Sequence, residues 1–372
     1  MYAALLLALV AIACGGSTET TSPPTPPPTP EATPTEAPTR GTPRPAPAEL
    51  SLAYINLGSP ITVDESDPLA HDTFFERLEF LAGQLQQLEP DIIAVSEATW
   101  SRELDAASWN VLASSLGMEP GYQRANPWYP GQDKEASDET RDLVGFEEGE
   151  AILSRYPIMH TRRIPLNPRT SEHEGRAVLH AVLLIEPYGE VNVYVARLSG
   201  NTATREAQAH DLRGHIDDTA EGRPSIVFAD FGLPPGNEAV QAFAGDDLVE
   251  LSAAAGQEPG AVGTCCRTTM LFGAGNDGEN GDMENVTPVP ATEPPGDVEP
   301  AETAEPELPG ELAEARTLYI FSDTWDPTGF SVFGDTPAIR SDGSRLYASD
   351  HNGIYTVIDL EGAWPEEAGL PD

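Results

Sequence analysis

Between Glu49 and Leu360 the sequence switches repeatedly between a hydrophobic period of two and one near four, and this switching constrains the fold more than any other feature. Ser51–Asn56 reads as a strand entering a loop. Thr73 to Gln87 reads as a helix, because Phe74, Leu78, Leu81, Leu85 and Leu88 recur on one face. Thr73 and Glu76 have capping-box spacing, and Pro90 ends the run. Ile92–Val95 is a short buried-strand run that delivers Glu97 at its end. Val178–Ile185 and Val191–Val195, joined through Pro187-Tyr188-Gly189, predict an antiparallel pair. Ala203–Ile216 reads as helix, Ile226–Ala229 as strand and Glu238–Phe243 as a short helix, with Leu318–Phe321 and Gly353–Asp359 as closing strands. Hairpins and helices mixed in this way predict an α/β (α+β) sandwich rather than a doubly wound parallel sheet.

Two segments cannot join that core. Gly15–Ala48 holds eleven prolines and nine threonines and almost nothing apolar. Such a chain prefers extended polyproline II, so it reads as a disordered tether reaching roughly 100 Å. Asn276–Ala315 has twelve acidic residues, no basic ones and no periodicity, and reads as a disordered acidic loop inside the domain. The layout is therefore a leader over 1–14, a tether over 15–48, a folded domain over 49–362 interrupted by 276–315, and a tail over 363–372.

Ala3 to Ala13 is apolar but too short to span a bilayer, and it suits a signal-peptide hydrophobic region. Cys14, between small residues and Gly15-Gly16, resembles the lipobox of bacterial lipoproteins. That resemblance implies cleavage before Cys14, acylation there, and an extracytoplasmic protein anchored to the cell membrane by lipid. No Lys or Arg precedes the apolar run, which departs from the pattern. The remaining cysteines, Cys265 and Cys266, are adjacent and read either as a vicinal disulfide or as buried thiols; nothing near them has metal-ligand spacing.

Charge narrows the function. The chain carries 61 Asp and Glu against 20 Lys and Arg, a net −41, and Lys134 is its one lysine. Taking away the twelve carboxylates of the acidic loop still leaves the remainder near −29. Such a surface repels phosphate backbones unless a local cationic or metal site intervenes, which argues against generic nucleic-acid binding and against attachment to anionic lipid through basic patches. A phosphate-ester substrate needs local cations to be captured at all, and the chain is expected to be a monomer.

The strand ends carry an ordered constellation: Asn56 in Ala-Tyr-Ile-Asn-Leu, Glu97 after Glu-Pro-Asp-Ile-Ile-Ala-Val-Ser, then Glu148–Ile158 (Glu-Gly-Glu-Ala-Ile-Leu-Ser-Arg-Tyr-Pro-Ile). Phe-Ala-Asp-Phe-Gly (Phe228–Gly232), Arg-Thr-Leu-Tyr-Ile-Phe (Arg316–Phe321) and Ser-Asp-His (Ser349–His351) complete it. In order and spacing this resembles the endonuclease/exonuclease/phosphatase superfamily of metal-dependent phosphoesterases, over about Leu50 to Leu360. The resemblance implies a four-layer sandwich of two mixed β-sheets flanked by helices, with the site where strand ends converge. It implies one Mg²⁺ or Mn²⁺ held by Asn56, Glu97 and Asp350, Asp230 orienting or deprotonating the attacking water, and His351 contacting the phosphate. The other histidines, His71, His160, His173, His180, His210 and His215, read as surface or packing residues, and Glu172-His173-Glu174 as a solvated run.

Three positions depart from the family pattern. Its Thr-His-Leu is Ala196-Arg197-Leu198, its Asp-x-Asn is Asp230-Phe231-Gly232, and its Arg-Ile-Asp-Tyr is Arg316-Thr317-Leu318-Tyr319. Arg197 can bind phosphate bidentately but cannot serve as an acid or base near neutral pH. Losing the carboxylate partner of a catalytic histidine costs about 10⁴-fold in a triad, and losing an oxyanion donor about 10²–10³-fold. Two readings follow: a phosphoesterase made weak or degenerate, and a non-catalytic binding or scaffolding lipoprotein on the same fold.

Overall fold

A computed structural model of the chain describes residues 47–58, 73–128, 132–169, 175–258, 263–267, 270–272 and 316–360. The leader with Cys14, nearly all of the tether, the 276–315 loop, the tail, His71 and the Glu172-His173-Glu174 run lie outside the described residues. In chain order the main strands are β1 (Glu49–Asn56), β2 (Ile92–Ser101), β3 (Glu119–Asn126), β4 (Phe146–Ser154), β5 (Ile158–Leu166) and β6 (Arg176–Ile185). There follow β7 (Gly189–Arg197), β8 (Ser225–Asp230), β9 (Leu318–Ser322), β10 (Pro327–Phe333) and β11 (Gly353–Asp359). The helices are α1 (Phe74–Leu88), α2 (Ser108–Leu116), α3 (Lys134–Val144), α4 (Thr202–Thr219), α5 (Glu238–Ala244) and the single turn α6 (Leu251–Ala254).

One sheet runs β10-β11-β1-β2-β4-β3, with the short Ala106–Ala107 strand against β2. The other runs from Val249–Glu250 through β9-β8-β7-β6-β5. Each main sheet has one parallel pair at its centre, β1 with β2 and β7 with β8; the other main-strand neighbours are antiparallel.

Strand parity builds the layers. Leu50, Leu52 and Tyr54 of β1 meet Leu179, Ala181, Val193, Val195, Ile226 and Phe228 of the facing sheet in one buried core. The alternate residues Ala53, Ile55, Ile93 and Val95 point the other way and pack against α1 and α2. On the far side Val227, Ala229, Tyr319 and Phe321 pack against Leu212, Ile216, Val240 and Phe243 of α4 and α5. The result is helix, sheet, sheet, helix, each interface formed by one face of a period-two strand. Each Leu or Phe so buried contributes about 1.5–3 kcal/mol.

The same parity positions the site. Counting on by two from Tyr54, Val195 and Phe228 reaches Asn56, Arg197 and Asp230, so all three continue the inner face beyond the last apolar residue. Arg197 and Asp230 are register partners, as are Asn56 and Ser96, so the two parallel pairs bring their ends to a common edge.

Several predicted details shift. Thr73 precedes α1 but makes no side-chain capping bond; its carbonyl accepts from Arg77 N instead (2.8 Å). β2 does not stop at Val95 but runs on to Ser101 after a register shift between Val95 and Ala98. Glu97 sits in that shift with φ +54°, a left-handed conformation uncommon for a non-glycine residue. α4 begins earlier and ends later than its apolar face, because Asn201 accepts from Thr204 N and fixes the start. The hydrophobic periodicity does not announce α2 or α3: α2 is short, and α3 (Lys-Glu-Ala-Ser-Asp-Glu-Thr-Arg-Asp-Leu-Val) has almost no apolar face, being started by an Asp133 cap on Ala136 N.

Candidate active site

Asn56 is fully buried at the end of β1, and its side-chain Nδ2 donates to two carboxylates, Asp230 Oδ2 at 2.9 Å and Glu97 Oε1 at 3.1 Å. Its Oδ1 accepts from Gly58 N at 3.0 Å, and its main-chain carbonyl accepts from Ser349 Oγ at 2.6 Å. One amide thus ties a residue from each sheet to the other. The left-handed turn at Glu97 is what swings that carboxylate in from β2; a regular strand would carry it past the site.

Arg197, from β7, lies across the same two carboxylates. Its Nη2 is 2.7 Å from Glu97 Oε1 and its Nε 3.9 Å from Asp230 Oδ2. Burial works against the guanidinium charge, yet the carboxylates around it, Glu97 first and then Glu148 and Asp230, hold it firmly protonated, above the ordinary arginine range.

His351 follows Asp350 in the loop before β11, and the two side chains pair directly, Nδ1 to Oδ1 at 2.7 Å. Ser349 Oγ also donates to Asp350 Oδ1 at 3.0 Å and accepts from His351 N at 3.1 Å. Burial pushes the His351 imidazole down, but the carboxylates of Asp350, Asp230 and Glu97 outweigh it and raise its pKa to about 9. Burial likewise pushes Asp350 up, and His351, Ser349 and Arg77 pull it down to about 2. At neutral pH the pair is an imidazolium held by a carboxylate. The other ring nitrogen, Nε2, faces Asp230 Oδ2 at 3.9 Å and Cys266 Sγ at 3.6 Å. Cys265 and Cys266 form the vicinal disulfide, one of the two alternatives open in the sequence.

The departures from the family pattern fall at or beside Asp230 and Glu97. Leu318 is buried in the inter-sheet core and is the register partner of Asp230. The carboxylate that pairs with His351 is instead that of Asp350. Gly232 has φ +58°, and its carbonyl accepts from Arg205 Nη1 at 2.6 Å. A side chain there would have to move the Arg205 guanidinium, which lies 3.0 Å from an added Cβ.

Two further contributors lie in the Glu148–Ile158 segment, where the sequence assigns neither a role. Glu148 and Glu150 precede the inward-facing Ile152 by four and two residues, so β4 parity aims both into the interior. Glu148 Oε1 accepts from Arg176 Nη1 (3.1 Å) and Asn126 Nδ2 (2.9 Å). Glu150 Oε2 accepts from Ser96 Oγ at 2.7 Å, and Ser96 Oγ is also 2.8 Å from Tyr54 OH. Burial dominates there and lifts the Glu150 carboxyl to about 8, so it is neutral at pH 7. The parity of Glu-Gly-Glu-Ala-Ile was the available signal. Of the histidines, His180 is buried, stacked on Tyr194 with ring centroids 4.5 Å apart and bonded to Asn192 at 2.9 Å, a packing residue.

The residues expected to hold a divalent ion, Asn56, Glu97 and Asp350, supply hard oxygens of the right kind. In their present arrangement they do not fit one. Glu97 is bound to Arg197, Asp350 to His351, and Asn56 turns its amide nitrogen rather than its oxygen toward the carboxylates.

Two mixed sheets packed face to face, with helices outside and a buried polar centre at converging strand ends, make an α/β sandwich. Solved structures identify it as the endonuclease/exonuclease/phosphatase fold. An endonuclease/exonuclease/phosphatase family protein from Bacteroides thetaiotaomicron superposes with a TM-score of 0.54 at 16% identity, over 83% of this chain and 97% of that one. A mannosyl-6-phosphatase from the same organism gives 0.54 at 16%, over 82% and 98%. The humanized TDP2 of D. rerio gives 0.53 at 14%, over 84% and 99%. No protein-family model and no curated protein sequence matches this chain.

Proposed function

We propose that this chain is a cell-surface phosphoester-recognising protein on the endonuclease/exonuclease/phosphatase fold, in which hydrolysis is weak or degenerate. The observation that carries it is the convergence on Asp230 Oδ2 of Asn56 Nδ2, at 2.9 Å, and His351 Nε2, at 3.9 Å, from three separate elements. A phosphate ester reaching these strand ends meets two cations, Arg197 and the His351 imidazolium. Asp230, held by Asn56 Nδ2 and by Gly232 N (3.2 Å), is placed to take a proton from water. His351 Nε2, protonated below about pH 9, is placed to give one to the leaving oxygen. Both cations are already engaged with carboxylates, so their pull on a phosphoryl group is reduced, and turnover with it. In the family at large Mg²⁺ or Mn²⁺ provides that pull, and it is the cofactor to test for any residual hydrolysis. We further propose that Cys14 is lipidated and the domain displayed outside the cell on its Pro/Thr-rich tether.

A second reading, a non-catalytic binding or scaffolding lipoprotein, is favoured by the joint changes at Arg197, Gly232 and Leu318. One assay separates them. Purified protein is given a generic phosphodiester and a phosphomonoester with Mg²⁺ or Mn²⁺, beside the Asp230→Ala, His351→Ala double variant. Turnover above the double variant supports a weak hydrolase; turnover equal to it leaves binding alone.

A further inference from the structure

From the ion pairs at the strand ends we infer that Arg197 is the resident cation of this site: its guanidinium neutralises the acidic centre internally, and the chain excludes Mg²⁺ and Mn²⁺ from it. The inference rests on reading this cluster as the phosphoester site. Two carboxylates from different sheets, Glu97 and Asp230, are bridged by one side chain, with Nη2 at 2.7 Å from the first and Nε at 3.9 Å from the second. Asn56 Nδ2 donates to the same two oxygens, 3.1 and 2.9 Å away, so the face a metal would need is lined with hydrogen-bond donors. The remaining expected ligand, Asp350, is engaged by His351 at 2.7 Å. Each of the three carboxylates thus already has a partner within the protein, Glu97 and Asp230 in Arg197 and Asp350 in His351. A divalent ion would have to displace Arg197 from Glu97 while remaining within a few ångströms of its charge, and like charges at that separation inside a protein repel strongly. Arg197 is also anchored by its strand: it is the register partner of Asp230 in the parallel β7/β8 pair, so it is held beside the carboxylates it neutralises.

The test is Mn²⁺ binding to the full chain by calorimetry, with thermal unfolding in parallel, in the wild type, Arg197→Met, Arg197→Lys and each of these with Glu97→Gln. Wild type and Arg197→Lys are expected to show no one-to-one Mn²⁺ site that Glu97→Gln removes, and no Mn²⁺-dependent rise in Tm. Arg197→Met is expected to gain a saturable site at least about a hundredfold tighter than wild type, lost again with Glu97→Gln, and to melt lower without Mn²⁺ than with it. If Arg197→Met does not fold in metal-free buffer, recovery of its fold by Mn²⁺ supports the inference and failure to recover overturns it. A Glu97-dependent Mn²⁺ site in the wild type overturns it, as does a folded Arg197→Met that gains none. Because the readout is metal binding, a chain that neither binds nor cleaves phosphoesters yet still refuses Mn²⁺ defeats only the proposed function.

Discussion

Glu150 offers the sharpest quantitative test of how the interior of this site is balanced. Its side chain is buried and accepts from Ser96 Oγ, and burial lifts its pKa from 4.5 to about 8. In the unfolded chain the carboxyl loses its proton near the ordinary value; in the folded chain it keeps it until about pH 8. Between those values the folded state binds more protons, so stability from this group is full below 4.5 and is lost as the pH rises through about 8. At about 1.36 kcal/mol per pH unit, the loss between about pH 5 and about pH 7.5 is on the order of 3 kcal/mol. Glu150→Gln removes the titration while keeping an oxygen to accept from Ser96. The variant is therefore expected to match the wild type near pH 5 and to exceed it by roughly that amount near pH 7.5. Urea unfolding across that range measures the difference, and the contribution of His351, which titrates in both proteins, cancels from it. Parallel stability curves would refute a buried neutral carboxyl at 150.

Other expectations follow from single contacts. Asn56→Asp replaces the amide that donates to Asp230 and Glu97 with a third carboxylate, and is expected to cost about 3–5 kcal/mol in denaturant unfolding. Glu89 caps α1 in a left-handed conformation (φ 50°, ψ 44°), so Glu89→Gly is expected to stabilise the protein by about 0.5–1 kcal/mol, seen as a raised Tm. Gly149 is packed so closely against β3 that an added Cβ would lie 2.1 Å from Gln123 O; Gly149→Ala is expected to cost several times the stability of an exposed Gly→Ala change, read by the same unfolding assay.

Much of this molecule was legible before its structure. The strands that form the centre of both sheets follow period two, and the same parity carries Asn56, Arg197 and Asp230 to one edge. What the sequence hid are events that break periodicity or depend on a neighbour across space. The left-handed Glu97 interrupts β2, and no local composition marks it. Asp350 and His351 are adjacent, yet their pairing depends on how the loop turns before β11, which adjacency in sequence does not fix. Glu148 meets Arg176 only because β4 and β6 lie in facing sheets. α3 is nearly all polar and is specified by its Asp133 cap rather than by an apolar stripe.

Turnover itself tests the central claim most directly. The rate of phosphodiester hydrolysis is measured for the wild type and for Arg197→His, Gly232→Asn, Leu318→Asp combined, each with and without Mg²⁺. Gly232 N bonds Asp230 and Leu318 is its register partner, so the changes fall on the site itself; asparagine is among the residues that best adopt the left-handed backbone at 232, though the Arg205 guanidinium must shift to admit its side chain. The wild type is expected to stay far below the roughly 1 s⁻¹ of ordinary enzymes, and the combined variant to rise well above it with Mg²⁺. Wild-type turnover at or above about 1 s⁻¹ would contradict the account.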